Sequence, residues 1–248
     1  MRSTDKSLLE LSAYNNGWEI RVDQGECLEV SSALHPGTLW LSRSSDRTFH
    51  VRWEDPRIGD ELHRFFSPAV SPDLRSAILT ERVELDTLLA RAASIDRSLP
   101  DHAAAQLPES VDRELARIKD YSTETRRLTK QRIGQNLFRN ALLDYWGGAC
   151  AITGIRQTEL LRASHSTPWA DCATDEDRLN VFNGFLLVAH LDALYDAGLM
   201  AFQSDGTAIF SPALDPELLD RLSLRNLRLR WITQNHLDFL RIPNWARD

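Results

Sequence analysis

The chain has 248 residues, 42% of them hydrophobic and 26% charged, and a formal net charge of −7 at pH 7. That length and composition allow one large domain or two modest ones around a sizeable core. The negative balance excludes a protein that coats nucleic acid non-specifically, because such proteins need a positive surface.

The charge is unevenly spread. Residues 1–115 hold 13 Lys+Arg against 20 Asp+Glu, and residues 116–248 hold 16 of each. The opening stretch MRSTDKSLLELSAY has no apolar segment of the signal-peptide kind, and no run of about 18 apolar residues follows anywhere. Cys27, Cys150 and Cys172 form no C-x-x-C pair. A cytoplasmic protein with no membrane span, no disulfide framework and no zinc knuckle is expected.

Along residues 17–53 the segments WEIRV, CLEV, TLWLS and FHVRW read as strands, separated by turn-like DQGE, HPG and SRSSD. Residues 80–95 place Val83, Leu85, Leu88, Leu89 and Ala92 near a 3.6 period, which predicts a helix. Residues 96–110 contain two prolines and read as a linker. The expected division is therefore 1–105 as a β-rich targeting or regulatory domain, and 106–248 as a helical connector plus a second domain. In the first domain, Arg43, Arg47, Arg52 and Arg57 would suit contact with DNA, and Trp40 and Trp53 either a pocket for a flipped base or core packing. The acidic balance favours a protein partner or dimer surface over a DNA reader.

From Glu109 to Trp146 the pattern is helical, and Gly147-Gly148 ends it. Gly134 either interrupts this run or permits close packing. Residues 116–139 concentrate Arg117, Lys119, Arg126, Arg127, Lys130, Arg132 and Arg139 against Asp120 and Glu124 only. Such an excess fits either a phosphate-binding track or a solvated helix face. CAITG then predicts a short strand and turn, ELLRASH a strand ending at His165, and residues 166–180 a polar loop. NGFLLVAH begins at a turn residue and runs apolar, HLDALYDAG is a short helix stopped by Gly198, and GLMAFQSDGTAIF reads as two strands about a Ser-Asp-Gly turn.

Three ordered motifs stand out: S-H-x-x-P-W at His165, N-G-x-L-L at Asn183, and H-x-D-x-L-Y-D spanning His190, Asp192 and Asp196. With RIGQNLFRNALLDYWGGACAITG before them, they make residues 132–210 resemble the HNH endonuclease family, whose catalytic unit is a ββα-metal finger. The implied fold class is α/β (α+β), with an N-terminal β-rich module, a helical connector and a C-terminal ββα-metal HNH nuclease domain.

The resemblance implies that His165 is the general base, taking a proton from the attacking water, and that Asn183 orients it by fixing the loop. An imidazole titrating near 6.5 suits that task, and an amide can tie two backbone segments together. Asn183 also reads as an ordinary turn residue before Gly184. His190, Asp192 and Asp196 are the expected metal shell, the two carboxylates lying i, i+4 on one helical face. Here the sequence departs from the family: many relatives have histidine nine residues after the Asn and an acid two before it, whereas this chain has Asp192 at nine and His190 at seven. The residue before the base is Ser164, a poor ligand, where many relatives have Asp or His. Mg²⁺ or Mn²⁺ suits such donors. Arg162, Arg126, Arg127, Lys130 and Arg132 are expected to meet phosphates, with Arg156 and Arg178 as further cations near the scissile bond. Trp169 reads as a packing anchor.

The expected function is metal-dependent cleavage of DNA by a bacterial restriction or defence nuclease, with a symmetric homodimer for double-strand cutting. The alternatives are a catalytically weak DNA-binding or regulatory protein that keeps the finger as a scaffold, and a nuclease gated by a partner or ligand at the N-terminal domain.

Overall fold

In the computed structural model, which describes residues 2–118 and 120–246, the chain divides into two compact units, residues 1–97 and 98–248. Lys119 of the basic stretch lies outside the described residues.

The first unit opens with helix α1 (Ser3–Asn15) and continues into an antiparallel meander of β1 (Ile20–Asp23), β2 (Leu28–Ser31), β3 (Thr38–Arg43) and β4 (Phe49–Trp53). Helix α2 (Pro56–Phe66) precedes β5 (Ser76–Leu79), which pairs with β4, and α3 (Arg82–Ser98) follows. Alternation decides which face is inside: Leu28, Val30, Leu39, Leu41, Phe49, Val51 and Trp53 are buried, and their neighbours are not. Trp18 and Trp53 are core residues whose indole N–H groups donate to the Leu89 and Leu74 carbonyls, at 3.0 and 2.7 Å. Trp53 is thus removed from any base pocket. Trp40 lies on the opposite face, donating to Glu29 and stacked by Arg52. Helices α1 and α2 have no apolar alternation of strand type, and α2 starts where Asp55 caps the Arg57 N–H just before Pro56.

The second unit begins with α4 (Pro100–Leu115), which packs on α5 (Thr123–Tyr145). The expected linker over 96–110 is therefore helix. Pro100 sits in the first turn, where a missing N–H costs nothing. Pro108 is carried inside the helix because Ala103, Leu107, Val111 and Leu115 form one buried stripe. The single helical run expected from Glu109 is broken before Ser122, whose hydroxyl caps α5 by accepting from Thr125 N–H. CAITG is a turn rather than a strand, with Ala151 N–H donating to Leu186 O at 2.6 Å.

Strand β6 (Leu161–His165) pairs antiparallel with β7 (Gly184–Val188), and α6 (Asp175–Leu179) lies in the connection between them. Helix α7 (Ala189–Asp196) follows β7 directly, completing a ββα unit. Strands β8 (Met200–Phe202) and β9 (Ala208–Phe210), then α8 (Pro216–Arg221) and α9 (Gln234–Leu237), complete the chain's regular structure among the described residues. Every residue of β7 is buried, because α5 covers one side and α7 the other. Trp146 stacks on Trp231 with ring centroids 4.3 Å apart, and buried His236 sits among Phe182, Phe185 and Tyr145. The architecture is mixed α/β, and no helix among the described residues is long and apolar enough to cross a membrane.

Candidate active site

His165 ends β6 opposite Gly184. The glycine is required by space: a Cβ there would overlap the Ser164 carbonyl oxygen and crowd the Phe138 ring. With that space kept clear, the His165 imidazole stacks on Phe138 of α5, centroids 3.7 Å apart at 16°, and meets Trp169 edge-on. Trp169 in turn lies against Gly134 so closely that any side chain there would collide with it. Gly134 is therefore a packing glycine, and Trp169 a wall of the histidine's pocket.

The ring has one fixed contact. His165 Nε2 lies 2.9 Å from the Arg178 carbonyl oxygen. A carbonyl only accepts, so Nε2 carries the hydrogen and Nδ1 keeps its lone pair. Burial pushes the His165 pKa below the ordinary imidazole value, and the bond to Arg178 O opposes that only in part. The ring is held neutral near pH 7 with a basic nitrogen at Nδ1.

Asn183 is fully buried and ties the segment after the histidine to the chain before β7. Its Oδ1 accepts from Thr167 N–H at 2.7 Å; its Nδ2 donates to Thr167 O at 3.3 Å and Asp177 O at 3.0 Å. Its own carbonyl accepts from Ser166 N–H at 2.9 Å. Arg178 is occupied by the same loop, donating to the Trp169 and Cys172 carbonyls and pairing with Asp175.

Helix α7 supplies the carboxylates. Ser164 Oγ donates to Asp192 Oδ1 at 2.5 Å, so β6 fixes one of them directly. Partial burial, and then the neighbouring Asp192 charge, hold the Asp196 carboxyl above the usual range. Neither carboxylate has a cationic partner among the described residues. His190 does not join them. It is exposed, and two residues from Asp192 corresponds to about 200° around a helix. Among the described residues no three His, Cys, Asp or Glu side chains converge on one point, so the expected three-residue shell is not assembled.

A cleft of about 630 Å³ runs beside the histidine, lined by His165, Ser166, Tyr195, Asp196 and Arg241 among others. Ser166 and Tyr195 share a hydroxyl–hydroxyl bond of 2.8 Å, and burial raises the Tyr195 pKa to about 12. Residues 150–203 match a family described as HNH endonuclease. The C-terminal part of this chain carries an HNH domain. That domain marks a nuclease-type hydrolase with a nucleic-acid substrate, and HNH nucleases generally use divalent metal ions. No curated protein matches the chain.

Outside the HNH segment, the basic residues of α5 form ion pairs. Arg126 pairs with Asp112, Arg127 with Glu124, Lys130 with Asp175 and Arg132 with Glu114, at 2.5–3.1 Å. Helices α4 and α6 bring carboxylates that sequence proximity does not reveal. Arg162 is exposed and bonds to the Glu159 and Leu161 carbonyls, so its charge is not opposed by those contacts. Arg139 and Arg156 likewise donate to carbonyls. Sequence reasoning missed Ser166, Tyr195 and Arg241. The first two sit beside recognised motif residues, but Arg241 follows no motif at all.

Proposed function

We propose that this protein is a metal-dependent endonuclease that hydrolyses phosphodiester bonds in DNA, acting as a cytoplasmic restriction or defence nuclease. One observation carries the reading: His165 has its Nε2 anchored and its Nδ1 available, in the cleft that also holds Asp196. A merely structural histidine needs no free nitrogen in a cleft that also holds a carboxylate.

The donor set fits a hard divalent cation. Asp192 and Asp196 are two carboxylates one helical turn apart, repelling each other without a cationic partner among the described residues. Mg²⁺ and Mn²⁺ are commonly held by one or two carboxylates, with water and phosphate completing the shell. Asp192 and Asp196 would hold the ion, and Ser164 would orient Asp192. His190 has no part in this set. A cation held there would supply positive charge to the phosphoryl oxygens of the scissile bond. His165 Nδ1 accepts the proton of the attacking water, and the Arg178 carbonyl stabilises the resulting imidazolium through Nε2–H. Asn183 holds the backbone that aims the ring. Tyr195 stays a neutral phenol at working pH and offers a hydroxyl to the cleft together with Ser166.

Arg162 is a direct candidate for a DNA phosphate. Arg126, Arg127, Lys130 and Arg132 form exposed ion pairs of little net energy, about 0–1 kcal/mol each, which a phosphate can displace. The first unit would serve targeting or regulation, and a homodimer would place one site on each strand.

Plasmid DNA incubated with the purified protein and Mg²⁺ or Mn²⁺ tests the reading. Cleavage is expected, and His165→Ala should lower it about 10²–10⁴-fold. Intact plasmid under both metals, or an unimpaired His165→Ala protein, contradicts it.

A further inference from the structure

We propose that Arg241, outside the HNH segment, is the phosphate-binding cation of the cleft, presented by a strap of the C-terminal chain. This rests on the nuclease reading above. It adds a substrate contact that the matched residues 150–203 do not contain.

Three observations converge. First, residues 240–244 form one wall of the cleft whose other residues include His165 and Asp196, and Arg241 is the cation in that wall. A phosphodiester entering beside the Asp196 carboxylate needs positive charge, and a guanidinium matches two phosphate oxygens with parallel N–H donors.

Second, the strap is anchored on both sides of Arg241. Before it, His236 is fully buried among aromatic rings, and Leu240 N–H donates to the His236 carbonyl at 3.1 Å. After it, Trp245 Nε1–H donates to the Gly198 carbonyl, at the end of α7, at 2.7 Å. These pins hold the backbone of Arg241 against the cleft.

Third, the guanidinium is only lightly engaged. Among the described residues it pairs with Asp171, 3.1 Å away through one nitrogen, with both side chains about half exposed at 48% and 58%. An exposed single-nitrogen pair contributes little and exchanges readily. The remaining donors can turn to a phosphate, with Asp171 as a resting partner that yields to it.

The test uses the full chain, duplex DNA as the probe and two readouts. In cleavage with Mn²⁺, Arg241→Ala should lower kcat/KM about 10²-fold, the loss typical of removing one donor to a reacting oxyanion. Arg241→Lys should recover only part, because an ammonium lacks the planar fork. Asp171→Asn should keep at least the parent kcat/KM. In DNA binding measured on His165→Ala protein across salt, adding Arg241→Ala should reduce the slope of log K against log salt by about 0.9, one phosphate contact. Normal cleavage by Arg241→Ala overturns the proposal while leaving the nuclease reading intact. So does an equal loss in Asp171→Asn, which would make the pair a structural brace. If the parent protein cuts nothing, the nuclease reading fails, and the binding arm alone decides: a reduced slope supports the arginine's role and an unchanged slope overturns it.

Discussion

Two histidines, one in each unit, sit in similar surroundings but differ in their hydrogen bonds. His35 in the first unit is buried, with Nδ1 2.6 Å from Asp96 Oδ2 and Nε2 3.1 Å from the Gly17 carbonyl. Asp96 also accepts from Gly37 N–H, and the ring packs edge-on to Trp18. Both nitrogens are spent on holding loops to the end of α3. His165 is likewise walled by aromatic rings, yet among the described residues its Nε2 alone has a hydrogen-bond partner, and the residue opens on a cleft. The satisfied histidine is a pin, and the half-satisfied one, which shares its cleft with Asp196, is the proposed base. The distinction lies in the hydrogen-bond count, not in burial.

Substitution should separate the two roles. His165→Ala should abolish most cleavage, a loss of about 10²–10⁴-fold, with the fold retained. His35→Ala should do the reverse, lowering the stability of the first unit by about 3–5 kcal/mol because the Asp96 carboxylate is left buried without its ring partner. Chemical denaturation read by Trp fluorescence checks the second, and comparable stability losses in both variants would erase the comparison.

Asn183→Ala tests what aims the active ring. It strands the Thr167 N–H and removes donors from the Thr167 and Asp177 carbonyls. The expected cost is about 1–3 kcal/mol for an unsatisfied buried group, with a fall in kcat larger than any change in KM. Gly184→Ala should resemble it, at about 1–3 kcal/mol for overpacking, because the new methyl pushes on the Ser164 carbonyl and Phe138. Steady-state kinetics beside thermal melting would show whether catalysis and stability part company at these two sites.

The smallest effect is in pH. The lowered His165 pKa means the neutral, basic form persists to more acidic conditions than for an ordinary imidazole. The acid limb of the rate profile should therefore fall below about 6.5, the reference value. The same shift acts on stability. The folded pKa lies under the unfolded one, so this contribution is complete above about 6.5 and is lost as pH falls through the folded value. An acid limb above 6.5 would assign the titration to another group.

The ordered motifs made the His165–Asn183 pair legible in the sequence, because Asn-Gly before an apolar strand and a histidine at a strand end each constrain the backbone locally. The four strands of the first meander were legible from their β-branched and aromatic residues and the turn-like segments between them. Residue spacing gives chemistry without angle: His190 is exposed, and among the described residues it forms no three-ligand cluster with Asp192 and Asp196. Prolines 100 and 108 suggested a linker, whereas the buried stripe from Ala103 to Leu115 outweighed them. Except for Arg127–Glu124, which lies within one helical turn, the ion pairs of α5 and the approach of Arg241 depend on contacts across 14 to 70 positions of chain, where local pattern carries no signal.

The most direct test of the His165 assignment is nitrogen-15 NMR of the imidazoles near neutral pH, followed by titration with Mn²⁺. The account expects His165 as a neutral ring protonated at Nε2, with its signals broadened by the ion in the parent protein and spared in Asp192→Asn/Asp196→Asn protein. A ring protonated at Nδ1, or broadening that ignores those carboxylates, would contradict it.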